Sequence, residues 1–169
     1  TPPVFDGVED RNGRRNHDEI RFWREYIRDS GNEWIVDDDG AYGGLEAGQR
    51  FIIAGDLNAD PADGDGTPGT ITELLENPGV LRMPTPRSDG AVLAALADAG
   101  ANLQHRGAHQ HDTGNFGPRV GNMRLDYVLP SVGFALVGSG VHWPAPGDPD
   151  AVIADGSDHH LVWVDLDLP

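Results

Sequence analysis

The spacing of apolar residues predicts a helix in the first third of the chain. Asn16 is suited to be its N-cap, and Glu19 follows three positions later, as in a capping box. Ile20, Trp23 and Ile27 then recur at helical intervals and form one apolar stripe. We therefore expect an amphipathic helix that starts near Asn16.

Two shorter segments also predict helices. The first is Ile71–Leu75, which should stop near Asn77–Pro78–Gly79, and the second is the Ala- and Leu-rich run Ala91–Ala97. The stretches between the predicted elements are rich in Gly, Pro and polar residues, which favours loops and irregular structure. These stretches are 1–15, 37–49, 60–68 and 100–123.

Four apolar runs predict strands. Arg50–Ala54 is short and β-branched and is ended by Gly55, as a buried strand often is. Turn signals separate the other three, which are Arg124–Leu129, Phe134–Val141 and Leu161–Leu168. In the last of them apolar residues occupy alternate positions, so one face of the strand is mostly apolar. The pattern as a whole indicates one α/β unit with about three helices and several strands.

The charge balance of the chain is strongly acidic. It has 28 acidic and 12 basic residues, all of the latter Arg, and a formal net charge of -16. Such a chain repels polyanions such as duplex DNA, which argues weakly against a processive nuclease unless a local basic pocket overrides it. The lack of Cys excludes disulfides, thiolate catalysis and Cys-based metal sites. No apolar run approaches the ~18 residues of a membrane span, and the compartment is left open, with an exported bacterial protein as one option.

Three short segments place titratable residues at the boundaries of predicted strands. They are GDLN (55–58) after the first strand, RLDYV (124–128) and SDH (157–159) before the last strand. Strand ends can hold side chains rigidly towards a ligand. These segments are therefore the candidates for a shared site.

The residue types in these segments suit the hydrolysis of a phosphate ester. That reaction needs a cation beside the phosphoryl oxygens, a group that orients water, and donors for the developing charge. Carboxylates and a carboxamide suit Mg²⁺ and water, because a hard cation prefers oxygen ligands. A His held by a carboxylate can donate to a phosphoryl oxygen. The residues that supply these groups are Asp56, Asn58, Asp126, Asp158 and His159.

In this order the three segments resemble the C-terminal motifs of the endonuclease/exonuclease/phosphatase superfamily. The resemblance runs from about Arg50 to the C-terminus, and HDEIRFWREYI (17–27) is similar to the helix that precedes the GDLN strand in bacterial members. It implies that the chain is a metal-dependent phosphoesterase using Mg²⁺, or Mn²⁺ or Ca²⁺ in its place.

The resemblance also implies a role for each site residue. Asp56 would orient or deprotonate the attacking water, and Asn58 would hydrogen-bond that water or a phosphate oxygen. Asp126 would buttress His159, which would contact the scissile phosphate. Asp158 would lie at or near the metal, directly or through water.

The fold implied by the resemblance is half of a four-layer α/β sandwich. One mixed, largely antiparallel sheet with flanking helices would make up residues 1–169, with 1–15 as a leading loop and 50–169 as the part that bears the motifs. Family members carry earlier motifs, including a metal-binding Glu, for which there is no room before GDLN. We therefore expect the N-terminal half of the domain to be missing as a partner, this piece alone to be inactive, and its open sheet face to favour self-association.

Other interpretations of the same residues are weaker. The non-catalytic alternative is a degenerate module that binds a ligand or partner, and intact polar positions in all three motifs argue against it. A calcium loop starting at Asp56 would need Gly where Pro61 stands and Glu where Thr67 stands. The spacing of His105, His109 and His111 is compatible with a metal, although a structural role is the simpler interpretation.

The substrate cannot be chosen from the sequence alone. Nucleic acid, nucleotide, inositol phosphate and phospholipid head group are all hosted by this fold. The acidic composition weakly favours a smaller phosphate ester. Trp143 is kept as a candidate substrate-facing residue, since it stands in a loop rich in Pro and Gly.

Overall fold

The computed structural model of the chain describes residues 1–154 and 156–168. Helices and strands are interspersed along these residues, as expected for an α/β chain. Two 3₁₀ helices cover Gly100–Gln104 and His109–His111. The α-helices are α1 (Arg11–Tyr26), α2 (Thr70–Leu75), α3 (Asp89–Asp98), α4 (Gly117–Val120) and α5 (Ala151–Ala154).

The first helix begins earlier than predicted, at Arg11 rather than at Asn16. Asp10 precedes it in the left-handed conformation, with φ 52°, and provides no side-chain cap. Asn16 lies inside the helix and is 1% exposed. Its amide is directed to backbone carbonyls outside the helix, so it cannot serve as a cap.

The two shorter predicted helices are found close to their expected bounds. The Oγ of Ser88 accepts a hydrogen bond from Ala91 N at 3.1 Å and thereby caps α3. α2 ends just before Asn77–Pro78, as the turn residues indicate. Local sequence signals therefore fixed both of these helices.

The strands of the described residues form three separate two-stranded sheets, so the prediction of one sheet is wrong. All three ladders are antiparallel, in agreement with a largely antiparallel fold. The four-layer sandwich stays a prediction. The strands are β1 (Ile52–Asp56), β2 (Gly114–Asn115), β3 (Asn122–Met123), β4 (Asp126–Pro130), β5 (Ala135–His142) and β6 (Leu161–Asp167), paired as β1–β4, β2–β3 and β5–β6.

One face of the two-stranded β1–β4 sheet packs on the main hydrophobic core. Ile53 and Tyr127 lie on this face and join Ile20 of α1 and Leu74 of α2 in one buried cluster. Because side chains alternate along a strand, the even-numbered residues of both strands project from the opposite face. That face carries Asp56 and Asp126 and the half-exposed Ile52, and it is therefore the face that can present a site.

The β5–β6 hairpin supports a second, smaller core. Val141 and Trp143 pack there with Ala91 of α3. Leu161 and Trp163, on the other face of β6, are 68% and 45% exposed. Self-association through an exposed face stays a prediction. None of the helices in the described part of the chain combines the length and apolar character that crossing a bilayer requires.

Candidate active site

The register of the antiparallel β1–β4 pair brings two predicted site residues together. Asp56 is the last residue of β1, Asp126 is the first of β4, and the two are directly paired across the ladder. Residues opposite each other on one face have Cβ atoms about 5 Å apart. Two carboxylates therefore lie side by side at one end of the β1–β4 pair.

The SDH segment is held against β2, which places His159 beside the carboxylates. Asn115 N donates to Asp158 O at 2.8 Å, and His160 N donates to Thr113 O at 2.7 Å. The ring of His159 then approaches β4, with Nδ1 2.9 Å from Asp126 Oδ2. This is the contact that the sequence led us to expect between Asp126 and His159, and the ring nitrogen left over is Nε2.

A residue that the sequence did not single out, Thr113, also holds Asp126. Its Oγ1 donates to Asp126 Oδ2 at 2.8 Å and accepts from Leu125 N and Asp126 N at 2.9 and 3.0 Å. Thr113 is 1% exposed. It stands in an irregular stretch with neither helical nor strand periodicity, so no pattern in the sequence pointed to it.

The conformation of the GDLN loop turns Asn58 back towards Asp56. The backbone N of Asn58 donates to Asp56 Oδ1 and its side-chain Nδ2 donates to Asp56 Oδ2, both at 2.8 Å. Asn58 makes this double contact in the left-handed conformation, with φ 50°, which Asn tolerates better than most residues. Gly55, at φ 145°, adopts a conformation that favours glycine.

Asp60 anchors the loop after GDLN through hydrogen bonds from three backbone N–H groups. Its Oδ1 accepts from Ala62 N and Asp63 N at 2.7 and 2.9 Å, and its Oδ2 accepts from Arg124 N at 2.7 Å. The last bond occupies the backbone just before Asp126. β4 starts two residues later than predicted, at Asp126.

The site is negatively charged, and its electrostatics act on His159. Burial by itself lowers the pKa of His159, but the hydrogen bond of its ring to Asp126 and the charges of Asp126, Asp56 and Asp158 outweigh it and raise the pKa above its ordinary value. The ring is about one-third exposed, at 32%. His159 therefore keeps its proton to higher pH than a free imidazole.

The three side chains Asp56, Asp126 and His159 can converge on one cation. Each offers one ligand atom, and these atoms all lie within 4.8 Å of one another. Two carboxylates are suitable oxygen donors for Mg²⁺. Asp158 is exposed and lies outside this group, although its charge reaches His159. Its predicted role as a metal ligand stays a prediction.

These features agree with a comparison of the chain with known families. The profile of the Endonuclease/Exonuclease/phosphatase family matches residues 2–159. The chain belongs to this family. Its members are hydrolases of phosphoester bonds and typically depend on a divalent metal. No curated protein and no solved structure gives a significant match.

Two of the three histidines in the stretch from Gly100 to His111, His109 and His111, have hydrogen-bond partners within the protein. The two ring nitrogens of His109 contact Asp112 Oδ2 at 3.0 Å and Asn102 O at 3.2 Å. His111 Nδ1 lies 3.0 Å from Pro86 O. Desolvation of Asp112, only partly offset by His109, raises the pKa of its carboxyl to about 6. With both nitrogens of His109 engaged, a structural role is favoured for His109.

Trp143 faces a cavity next to the SDH segment instead of the three converging side chains. Its ring is 8% exposed and stacks on His160 with centroids 3.7 Å apart. The cavity has a volume of about 570 Å³ and is also lined by Asn115 and Asp158. Trp143 as a substrate-facing residue stays a prediction.

Replacing Thr113 by Val should destabilise the protein by about 1–3 kcal/mol. The isosteric change leaves Leu125 N and Asp126 N without their acceptor and removes a donor from the Asp126 carboxylate. Urea unfolding of the variant and the natural protein measures the difference.

Thr70 provides the matched control for this substitution. It is also buried, at 9% exposure, but its Oγ1 has no hydrogen-bond partner. Thr70→Val should therefore be neutral or slightly stabilising. Equal losses in the two variants would show that the Thr113 hydroxyl contributes nothing specific.

Proposed function

We propose that the chain carries part of the active site of a metal-dependent phosphoesterase, which cleaves a phosphate ester with an activated water. The observation that supports this most strongly is the convergence of Asp56, Asp126 and His159 at one end of the β1–β4 pair. Family membership supports the class of reaction, hydrolysis of a phosphoester bond. The convergence of the three side chains supports a site for this hydrolysis at their shared end of the β1–β4 pair.

Asp56 is the group best suited to orient the attacking water. Its carboxylate is exposed, and Asn58 holds both of its oxygens through one donor each. A carboxylate fixed in this way can accept a proton from water along a defined direction. We assign Asn58 a second role, hydrogen bonding to the water or to a phosphate oxygen once substrate displaces its bond to Asp56.

His159 is the group best suited to donate to the phosphate. Asp126 engages its Nδ1, which leaves Nε2 to face a phosphoryl oxygen. The raised pKa favours the protonated ring, which is the form that can donate at both nitrogens. Asp126 in turn is oriented by Thr113, so a buried hydroxyl supports the carboxylate that positions His159.

Asp56 and Asp126 are the groups we assign to hold Mg²⁺, or Mn²⁺ or Ca²⁺, with Asp158 as an additional ligand, directly or through water. A bound cation supplies neutralisation of the charge that develops on the phosphoryl oxygens. Two or three carboxylates match the preference of these hard cations for oxygen.

We propose that a further layer of the domain packs on the exposed face of the β1–β4 sheet. Ile52 is 50% exposed there, on the same face as Asp56. The family resemblance implies that such a layer contributes another metal ligand. Self-association through the same face is the competing outcome, and light scattering of the purified protein distinguishes the two.

Phosphodiesterase activity of the full natural chain with and without metal tests the proposal. Turnover of a chromogenic diester should require Mg²⁺, disappear with EDTA and return when excess Mg²⁺ or Mn²⁺ is added. A chromogenic monoester and a short single-stranded DNA, assayed in parallel, distinguish the substrate classes. The net charge of -16 leads us to expect the small esters to be the better substrates. Absence of metal-dependent turnover on every substrate would favour a binding module instead.

A further inference from the structure

A buried polar side chain of α1 reaches the loop that carries Asp56 and Asn58. The amide Nδ2 of Asn16 donates to Leu57 O at 2.8 Å, and Asn58 O lies 3.4 Å from the same nitrogen. The Nδ2 of Asn16 also donates to Thr1 O at 3.0 Å. The acceptors in the loop are 41 and 42 positions away in sequence, so the contact is purely tertiary.

The position of Asn16 within α1 is unfavourable unless these contacts matter. Asn is a poor helix former, because its side chain competes with the backbone for hydrogen bonds. It is 1% exposed, and burying an unpaired amide costs about 1–3 kcal/mol. Ile20, four positions on and on the same side of α1, is an ordinary core residue. An apolar residue at position 16 would thus suit the helix better, whereas Asn can donate to the carbonyls of the loop.

The carbonyls that Asn16 contacts belong to a constrained part of the loop. Asn58 has φ 50°, a conformation that non-glycine residues seldom adopt. Tyr127 holds the following carbonyl from the β4 side, with its hydroxyl 2.6 Å from Ala59 O. The loop is therefore fixed between α1 and β4, in the geometry that lets Asn58 contact both oxygens of Asp56.

We infer that Asn16 is a positioning residue for the active-site loop: by binding the carbonyls of Leu57 and Asn58, it fixes the conformation in which Asn58 aligns Asp56. The inference rests on the proposed function for the role of Asp56. Asn16 itself acts through the backbone and does not touch the three converging side chains.

The test is Asn16→Leu in the full natural chain, since Leu has a similar volume and no donor. We expect kcat on the chromogenic diester to fall about 10–100-fold, as is usual when an outer partner of a catalytic group is lost. KM should change little, because the variant misaligns the reacting group without removing a substrate contact. Amide hydrogen exchange at Asn58, whose N–H donates to Asp56, should become about tenfold faster.

Asn32→Leu is the matched control. Asn32 is also buried, at 7% exposure, and its Nδ2 donates to one backbone carbonyl, Arg28 O, at 2.9 Å. It should lose comparable stability while keeping kcat and the exchange rate at Asn58. If Asn16→Leu does not fold, Asn16→Ser, which keeps one donor, should give the same changes to a smaller extent.

The outcomes separate this inference from the proposed function. If the natural chain shows metal-dependent turnover and the Asn16 variants match Asn32→Leu in kcat and in exchange at Asn58, the inference is wrong while the function stands. If the natural chain has no turnover, the proposed function fails. In that case, faster exchange at Asn58 in Asn16→Leu but not in Asn32→Leu would still establish that Asn16 fixes the loop. Unchanged exchange in Asn16→Leu would overturn the inference.

Discussion

Replacing Asp56 by Asn is expected to lower kcat for phosphate-ester hydrolysis by about 10²–10⁴-fold. The substitution keeps the shape of the side chain but removes its charge, so the group can neither accept a proton from water nor contribute an anionic oxygen to a cation. The fold should be preserved, because Asp56 is exposed and its charge lies beside that of Asp126. Steady-state kinetics with Mg²⁺ on the diester measures the effect.

Two further measurements make this expectation specific. Asp37→Asn is the matched control, because the exposed Asp37 also accepts backbone bonds, from Asp39 N and Ala41 N, away from the converging side chains. It should leave kcat unchanged. In Asp56→Asn the pKa of His159, followed by NMR, should fall, since the Asp56 charge is one of the causes of its elevation. Full activity in Asp56→Asn would show that another group orients the water.

The site could be predicted from the sequence to the extent that it depends on the ends of strands. GDLN and RLDYV were placed at the boundaries of apolar runs, and the structure has Asp56 as the last residue of β1 and Asp126 as the first of β4. Periodicity gives no register, however. The direct pairing of Asp56 with Asp126 comes from an antiparallel ladder between segments 70 positions apart, and only the structure shows it.

The error in the predicted start of the first helix has a physical cause, the use of a polar side chain for a tertiary contact. Asn16 has the local features of an N-cap, but its amide binds a carbonyl 41 positions away, and the helix continues past it towards the N-terminus. Local signals are reliable where the partner is local, as with Ser88 and Ala91 at the start of α3.

Thr113 illustrates the part of the site that sequence reasoning cannot reach. Its three bonds go to residues 12 and 13 positions away, and it stands in a segment without periodicity. The same segment forms β2, which holds the backbone beside His159. A buried hydroxyl that supports a carboxylate becomes visible only once the two strands are placed in space.

Replacing His159 by Gln is expected to lower kcat by about 10²–10³-fold, the usual loss when a donor to the developing charge is removed. Gln can still donate a hydrogen bond, but it carries no charge and cannot reproduce an imidazolium held by Asp126. His17→Gln is the control, because His17 has a similar side-chain exposure, 36% against 32%, and also lies next to a carboxylate, that of Asp18. It should leave kcat unchanged.

The pH dependence gives this prediction its sign. The pKa of His159 is raised above its ordinary value of 6.5, so the protonated ring persists above that pH. If protonated His159 donates to the phosphate, kcat/KM should fall as the pH rises through the elevated pKa, and His159→Gln should lack this limb. The stability that the His159–Asp126 pair provides should follow the same course. It is fully present below the ordinary pKa and is lost as the pH rises through the folded-state value.

These two pH effects can be separated experimentally. Urea unfolding without metal reports the linkage between folding and protonation of His159, whereas the pH profile of kcat/KM with Mg²⁺ reports the form needed for reaction. A pH-dependent stability that disappears in His159→Gln, together with an unchanged rate profile, would show that the pair holds the SDH segment in place and that another group donates to the phosphate. Loss of the same limb from both profiles is the expected result, because one proton on His159 would then serve both the fold and the reaction.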